Sequence, residues 1–386
     1  MSYQPRFSGN SCLCNSKGGS NEGLGIRADA TEKHVATGQY VKPPFSIHTC
    51  VARDPWSHGA ALSRWEHVYE QVRPGPFSGR VSAAWLGPIQ IVHECVDHAV
   101  NYRGTCWRGS RVIVSYCKGD IFYDGRPVTA GTVLTHRWNG VRRVSCRDRM
   151  ERVLVAIDEQ FLAEYLAPLS WSHVRRPDPI CCTSEPEAFC AFQQAVLSIL
   201  QELDESSLTL DDEGLCARLQ HRALDSIVAV LTNGRGAFHG LPAPSTRAYV
   251  VGQAIDYMEV HLADRISVRD ICAAIRVCPR TLSYAFSRVL GASPKSYLQA
   301  IRLNGAFRDL ADTQTRGSIE TVAARWGFFH MGRFAQYYRA AFGELPSETY
   351  RARALPRRPQ RAPLRVGRVR FSSVSRSPDP AMLIGS

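Results

Sequence analysis

Between Phe77 and Ile157 apolar and polar residues alternate with a period of two, in short runs separated by turn residues. The runs are Arg80 to Leu86, Ile89 to His93, Ala99 to Arg103, Val112 to Cys117, Asp120 to Tyr123, Thr132 to His136, Val141 to Cys146 and Arg152 to Ile157. Breaks such as Lys118-Gly119-Asp120 and Asp124-Gly125-Arg126-Pro127 end them. Strands this short and this closely spaced predict a small antiparallel barrel or jelly roll. The spacing then changes to that of helices. Asp158 is placed to cap Glu159 to Leu166, and the Ser184 to Glu187 capping box opens a helix to about Leu203. A further helix from Leu210 to Leu231 ends at Asn233-Gly234, with Leu215, Leu219, Leu224, Ile227, Val228 and Leu231 as its apolar stripe. One side of these helices is expected to cover the barrel, and the remainder is available to a second protomer.

After Val250 to Leu262, a lead helix, one pattern occurs twice. Ser267 caps Val268 to Ile275, a break follows, and Pro279 opens a second helix to Leu290, stopped by Gly291. Ser318 then starts Ile319 to Trp326, a turn follows Gly327, and Met331 to Phe342 ends at Gly343. Leu282, Phe286 and Val289 make the buried stripe of the second helix in the first copy; Phe334, Tyr338 and Phe342 make that of its counterpart. Arg280, Ser283, Tyr284 and Ser287 are left outside in the first copy, and Met331, Arg333, Gln336 and Tyr337 in the second. Two short helices with an exposed polar and basic face on the second are the arrangement that fits a DNA major groove.

The run Arg280 to Phe286, Gly291 to Leu298, Arg302-Leu303, Val322 to Phe334 and Phe342 to Ser347 resembles the DNA-binding domain of the AraC/XylS family of bacterial transcription regulators. Within that family it is similar to the branch that includes the ethanolamine operon regulator. Phe307 stands where the family usually has a basic residue. The resemblance covers about a hundred residues. It implies two helix-turn-helix motifs, 267–290 and 318–342, on a linking helix from Pro294 to Ala311, with recognition helices about one duplex turn, ~34 Å, apart. It also implies base-facing roles for Arg280, Ser283, Tyr284, Met331, Arg333 and Gln336. Arg288, Lys295 and Arg339 are then phosphate contacts. Double-stranded promoter DNA and RNA polymerase are the implied partners, with activation the implied outcome.

Charge sharpens this division. Residues 1–250 hold 26 Lys+Arg against 25 Asp+Glu, residues 251–355 hold 14 against 9, and residues 356–386 hold 7 against 1. Nearly all of the net +12 therefore lies in the last third, as expected if that part meets nucleic acid. The expected organisation is a disordered leader (1–45), a cupin-like regulatory region also suited to dimerisation (46–233), a linker (234–246), a DNA-binding domain (247–355) and a basic disordered tail (356–386). The fold class is α+β. No run is apolar enough for a spanning helix and no secretion signal opens the chain, so a cytoplasmic protein without membrane contact is expected.

The thirteen cysteines are scattered without a Cys-x-x-Cys pair, which fits neither a disulfide framework nor a structural zinc site. Cys181, Cys182 and Cys278 are the candidates for redox sensing. In the N-terminal region Trp85, Tyr102, Arg103, Tyr116, Tyr123, His136 and Trp138 are the candidate pocket for a small-molecule effector, with the aromatics as walls and the polar groups as anchors. A metal-binding cupin needs a His-x-His pair with a nearby Glu and a later His; His93, Glu94, His98 and His136 do not reproduce it, so no metal or other cofactor is expected. No phosphate loop, nucleophile elbow or carboxylate pair appears, and no enzyme is expected. The alternatives are a cupin-type metalloenzyme fused to a DNA-binding domain, and a regulator switched by a partner protein or by cysteine oxidation.

Overall fold

The computed structural model describes residues 46–128, 131–167, 180–183, 186–205, 213–232, 239–240, 244–353 and 360–361. The expected leader, most of the linker, and the tail apart from 360–361 lie outside them. The strands are β1 (Ser46–Ala52), β2 (Glu66–Gln71), β3 (Gly79–Leu86), β4 (Ile89–Val96), β5 (Val100–Thr105), β6 (Ser110–Lys118), β7 (Ile121–Tyr123), β8 (Arg126–Pro127), β9 (Thr132–Arg137), β10 (Arg142–Cys146), β11 (Met150–Asp158), β12 (Ile180–Thr183), β13 (His239–Gly240) and β14 (Gln360–Arg361). The helices are α1 (Pro55–Ala60), α2 (Glu159–Leu166), α3 (Pro186–Glu205), α4 (Glu213–Thr232), α5 (Thr246–Val260), α6 (Val268–Ile275), α7 (Pro279–Leu290), α8 (Pro294–Ala311), α9 (Ile319–Arg325), α10 (Met331–Phe342) and α11 (Pro346–Ala352).

The strands pair into two sheets, β13-β12-β9-β6-β11-β4-β3-β1-β14 and β2-β5-β10-β7-β8. Among the described residues no strand joins one to the other, so the hydrogen bonding does not close a barrel. The two sheets instead face each other across a shared core of Val81, Val92, Val114, Leu134 and Leu154 from one and Tyr69, Tyr102, Tyr123 and Val144 from the other. The opposite face of the larger sheet, with Ile91, Ile113, Val153 and Val155, is covered by Leu162, Phe192, Val196, Leu219 and Ile227 of α2, α3 and α4. The alternation along each strand thus feeds two apolar layers.

Between the sheets sits a buried polar cluster. Arg152 donates to Glu94 Oε2 at 2.6 Å and to Tyr69 Oη at 3.0 Å, and also bonds Tyr102, whose hydroxyl lies 2.8 Å from that of Tyr116. Glu94 Oε1 accepts from Tyr69 at 2.7 Å and lies 2.8 Å from His58 Nε2. Burial would raise the Glu94 carboxyl, but the Arg152 charge and the His58 and Tyr69 hydrogen bonds outweigh it and hold the group below the ordinary carboxylate range. Burial lowers His67 to about 3 and His136 to about 4.

The C-terminal helices enclose two small cores strung along α8. Tyr297, Leu298 and Ile301 join the core of α5, α6 and α7, while Leu303, Phe307 and Leu310 join that of α9 and α10. Phe307 lies face to face with Tyr338 at 6.0 Å and against Phe342 at 4.7 Å. A basic residue there would have no solvent to reach, which accounts for an apolar side chain at this position. Gly305 on α8 lies so close to Trp326 that a methyl group would come within 2.3 Å of its ring. No helix among the described residues is long and apolar enough to cross a membrane.

The segment from residue 54 to 69 contains α1 and then continues as β2. This strand forms the edge of the smaller sheet and meets the helices. Gln71 N–H donates to Asn304 Oδ1 at 3.0 Å, and Asn304 Nδ2 donates to Gln71 O at 2.8 Å. Gln71 Nε2 donates to Ala341 O at 2.9 Å, and Asn101 Nδ2 donates to Tyr297 Oη at 2.9 Å. Arg143 reaches Asp256 at 2.6 Å and Glu259 at 3.2 Å, and Arg103 pairs with Glu259 at 3.1 Å. Val72 and Ala99 are buried in the first helical core.

Candidate nucleic-acid interface

Each half of the helical region presents one helix with a divided surface. The first turn is tight because α6 ends at Arg276 in the left-handed conformation (φ 55°, ψ 47°) and Val277 N–H returns to Cys272 O at 3.1 Å. Ser267 and Asp270 form a reciprocal capping box at the start of α6, and Pro279 takes the first position of α7, where no backbone donor is needed. In the second half Gly327 has φ 79°, and Phe328 N–H returns to Ala323 O at 2.9 Å. Arg302 of α8, packed against Gly327, donates to the carbonyls of Leu262 and Asp264 and so ties the lead-helix end to this turn.

On α7, Leu282, Ala285, Phe286, Val289 and Leu290 are buried, and Arg280, Ser283, Tyr284, Ser287 and Arg288 are exposed. On α10, Phe334, Tyr338 and Ala341 are buried, and Arg333, Gln336, Tyr337 and Arg339 are exposed. Lys295 is exposed on the first turn of α8. Met331 departs from the expected pattern: it is half-buried and packs against the second core instead of lying fully outside. Phe342 is likewise only half-buried.

Two basic residues join this surface that the sequence pattern did not single out. The first is Arg247 of α5. The guanidinium carbons of Arg247 and of Arg288 on α7 lie 5.1 and 5.4 Å from the centre of the Tyr284 ring. Their proximity lowers the Tyr284 hydroxyl, with the Arg288 hydrogen bond as the largest cause. The second is Arg265, which lies 4.1 Å from the ring centre of Phe329, itself 48% exposed in the α9–α10 turn. In the sequence Arg247 stands before the expected start of the lead helix at Val250, whereas α5 begins at Thr246; its approach to Tyr284 is a tertiary event.

The cysteines divide by burial. Cys278 stands at the start of α7, is exposed, and has its thiol lowered by a hydrogen bond to Thr281 at 3.1 Å. Cys181 and Cys182 belong to β12.

The expected effector pocket is filled. Tyr102, Tyr116, Tyr123 and His136 line a cavity of about 20 Å³ between the sheets, room for about one water. Arg152 occupies the space beside them. Trp85 is buried against Trp107 with ring centres 5.7 Å apart, and Trp138 is half-buried at the core edge. Arg103 does not face this cavity; it turns outward to Glu259 of α5. A larger groove of about 410 Å³ lies between the smaller sheet and the helices, lined by Phe122, Val141 and Arg143 on one side and by Ala248, Val251 and Leu290 on the other.

Residues 271–352 match the family model described as a helix-turn-helix domain. The chain is 39% identical over 104 residues to the probable thc operon regulatory protein of Rhodococcus erythropolis, covering 26% of this chain and 31% of that protein. It is 36% identical over 100 residues to the XylDLEGF operon transcriptional activator of Pseudomonas putida, with the same coverage of 26% and 31%. The chain thus spans under a third of the length of these curated relatives. Among solved structures, a probable AraC family transcriptional regulator from Rhodopseudomonas palustris shares 32% identity over 27% of this chain and 97% of its own, with a TM-score of 0.26. The family model and the operon regulators agree with the motif residues quoted above: the C-terminal helices form a helix-turn-helix domain similar to that of these regulators of transcription.

Proposed function

We propose that the chain is a cytoplasmic, sequence-specific DNA-binding regulator of transcription, more specifically an activator. The observation that carries this reading is the division of α7 and α10: each buries one apolar stripe and exposes a polar, basic face, and both pack on one rigid helix. In this reading α6–α7 and α9–α10 are two helix-turn-helix motifs addressing successive major grooves. Arg280, Ser283, Tyr284, Met331, Arg333 and Gln336 face bases; Arg288, Lys295 and Arg339, joined by Arg247, neutralise phosphates. Met331, half-buried, presents only its tip and suits a thymine methyl. The branch that includes the ethanolamine operon regulator rests on the motif residues alone.

The two-sheet region acts as the regulatory part, a cupin-like unit whose strands are splayed instead of closed. Its interior is occupied by Arg152 and Glu94, so a small-molecule effector fits the groove between the smaller sheet and α5 better. A ligand there touches both regions and is placed to change their contact, and thereby DNA affinity. RNA polymerase and a second protomer are the protein partners of this reading.

The test is the double variant Arg280→Ala with Arg333→Ala in the full chain, assayed by mobility shift on a selected site and on unrelated DNA. Each bidentate base contact is worth about 1–3 kcal/mol of discrimination. Affinity for the selected site should fall to the level seen with unrelated DNA while folding is retained. An unchanged preference would remove these residues from the base-reading surface.

A further inference from the structure

On the outward face of the larger sheet the apolar layer under α3 and α4 gives way to a cluster of heteroatoms. The alternation of β4 places His93 and Cys95 on the same face as Ile89 and Ile91, away from Glu94 and the inter-sheet core. Glu151 stands directly opposite Cys95 on β11. His93 Nε2 is 3.2 Å from Glu151 Oε1 and 3.4 Å from Cys95 Sγ, and the three donor atoms all lie within 4.8 Å of one another. The second carboxylate oxygen of Glu151 is held by Lys118 Nζ at 2.6 Å, which leaves Oε1 turned toward the imidazole.

A second thiol stands on the neighbouring strand, at a β-bulge. Glu151 pairs with Lys118 and Arg152 with Tyr116, so Cys117 is the extra residue of β6 at this point. Bulges re-aim a side chain. Cys117 packs against the outward apolar layer, on the side of the sheet that carries the cluster. Its sulfur is not one of the three donor atoms that lie within 4.8 Å of one another.

We propose that His93, Cys95 and Glu151 form a three-donor binding site for one thiophilic divalent ion of the zinc type, with solvent in the fourth position. Zinc takes such donors in a tetrahedron, and its bond lengths imply N···S and N···O edges of about 3.6 and 3.4 Å. The observed 3.4 and 3.2 Å need only a slight opening. The Cys95 thiol gives up its proton to solvent on binding. The Cys95 thiolate and the Glu151 carboxylate then balance the ion, and Lys118 fixes the carboxylate's orientation from outside the ligand shell. Such an ion would tie β4 and β11 together. This departs from the expectation of no metal because Glu151 reaches the His93 and Cys95 pair from a strand far away in the sequence.

The test uses the reduced, chelator-treated full chain titrated with cobalt(II) as a spectroscopic probe and then with zinc. One equivalent of cobalt should give thiolate charge-transfer absorption and the visible bands of a tetrahedral site, and one equivalent of zinc should displace it. Cys95→Ser should lose the charge-transfer absorption and bind zinc at least tenfold more weakly, while Cys117→Ser and Cys278→Ser behave as the parent. If a cysteine variant does not fold, His93→Gln and Glu151→Gln carry the same test through the loss of affinity. Absence of stoichiometric binding, or binding unaltered by all of these substitutions, would overturn the assignment and give any bound ion to other cysteines of the chain.

Discussion

Replacing Asn304 by Leu tests how the two-sheet region is held to the DNA-binding helices. Asn304 is 3% exposed, and its carboxamide satisfies both backbone groups of Gln71 on the edge of the smaller sheet, at 3.0 and 2.8 Å. Leucine has the same number and branching of side-chain heavy atoms but no polar ones. Two buried hydrogen bonds contribute about 2 kcal/mol, and leaving the Gln71 N–H and C=O without partners adds their desolvation, for a total of about 2–4 kcal/mol. The helices keep their own cores, so the loss should appear as separation of the two regions and not as collapse of either. Hydrogen exchange followed by mass spectrometry reads this directly. Peptides covering β2 and the middle of α8 should exchange roughly thirtyfold faster or more, since ~1.4 kcal/mol is about a factor of ten. Peptides from β11, in the centre of the larger sheet, should be unchanged. Protection of β2 within about twofold of the parent would refute the idea that Asn304 latches the regions together.

Two further outcomes are expected. Gly305→Ala forces a methyl group against the Trp326 ring, whose indole N–H is pinned to Asp309 at 2.9 Å; thermal unfolding should show a loss of about 1–3 kcal/mol, and an unchanged midpoint would mean that the ring moves freely. His67 and His136 titrate at about 3 and 4 when folded and near 6.5 when unfolded, so the unfolded chain binds more protons between those values. Their contribution is complete above about pH 6.5 and is lost as pH falls, by about 1.4 kcal/mol per pH unit for each; denaturant midpoints at about pH 7 and pH 5 should differ, and less so in His136→Gln.

The C-terminal helices were legible because their signals are local. Ser267, Pro279 and Gly291 mark ends that depend only on neighbouring residues; α6, α7 and α10 fall where caps and spacing predict them, and α8 where the family resemblance implies it. β2 was hidden for the opposite reason. Its Glu70 and Gln71 are buried, and Gln71 is bonded to a residue more than two hundred positions away, so polar letters in the sequence stand for a buried strand. The inter-sheet interior misled in the same manner. Tyr102, Tyr116 and His136 do point inward, but so do Glu94 and Arg152, whose charges alone suggest a solvent face. The pair fills the room that an effector would have needed. Arg103 was expected beside Tyr102, yet alternation along the strand sends it outward to α5.

The central claim is that α7 and α10 read DNA sequence together. Binding-site selection from random duplex DNA with the full chain, repeated at raised salt, tests it most directly. The account predicts one enriched motif made of two short elements about one helical turn apart, retained when salt has removed nonspecific binding. Recovery of no motif, with all binding lost at raised salt, would reduce the interface to its positive charge and contradict the account.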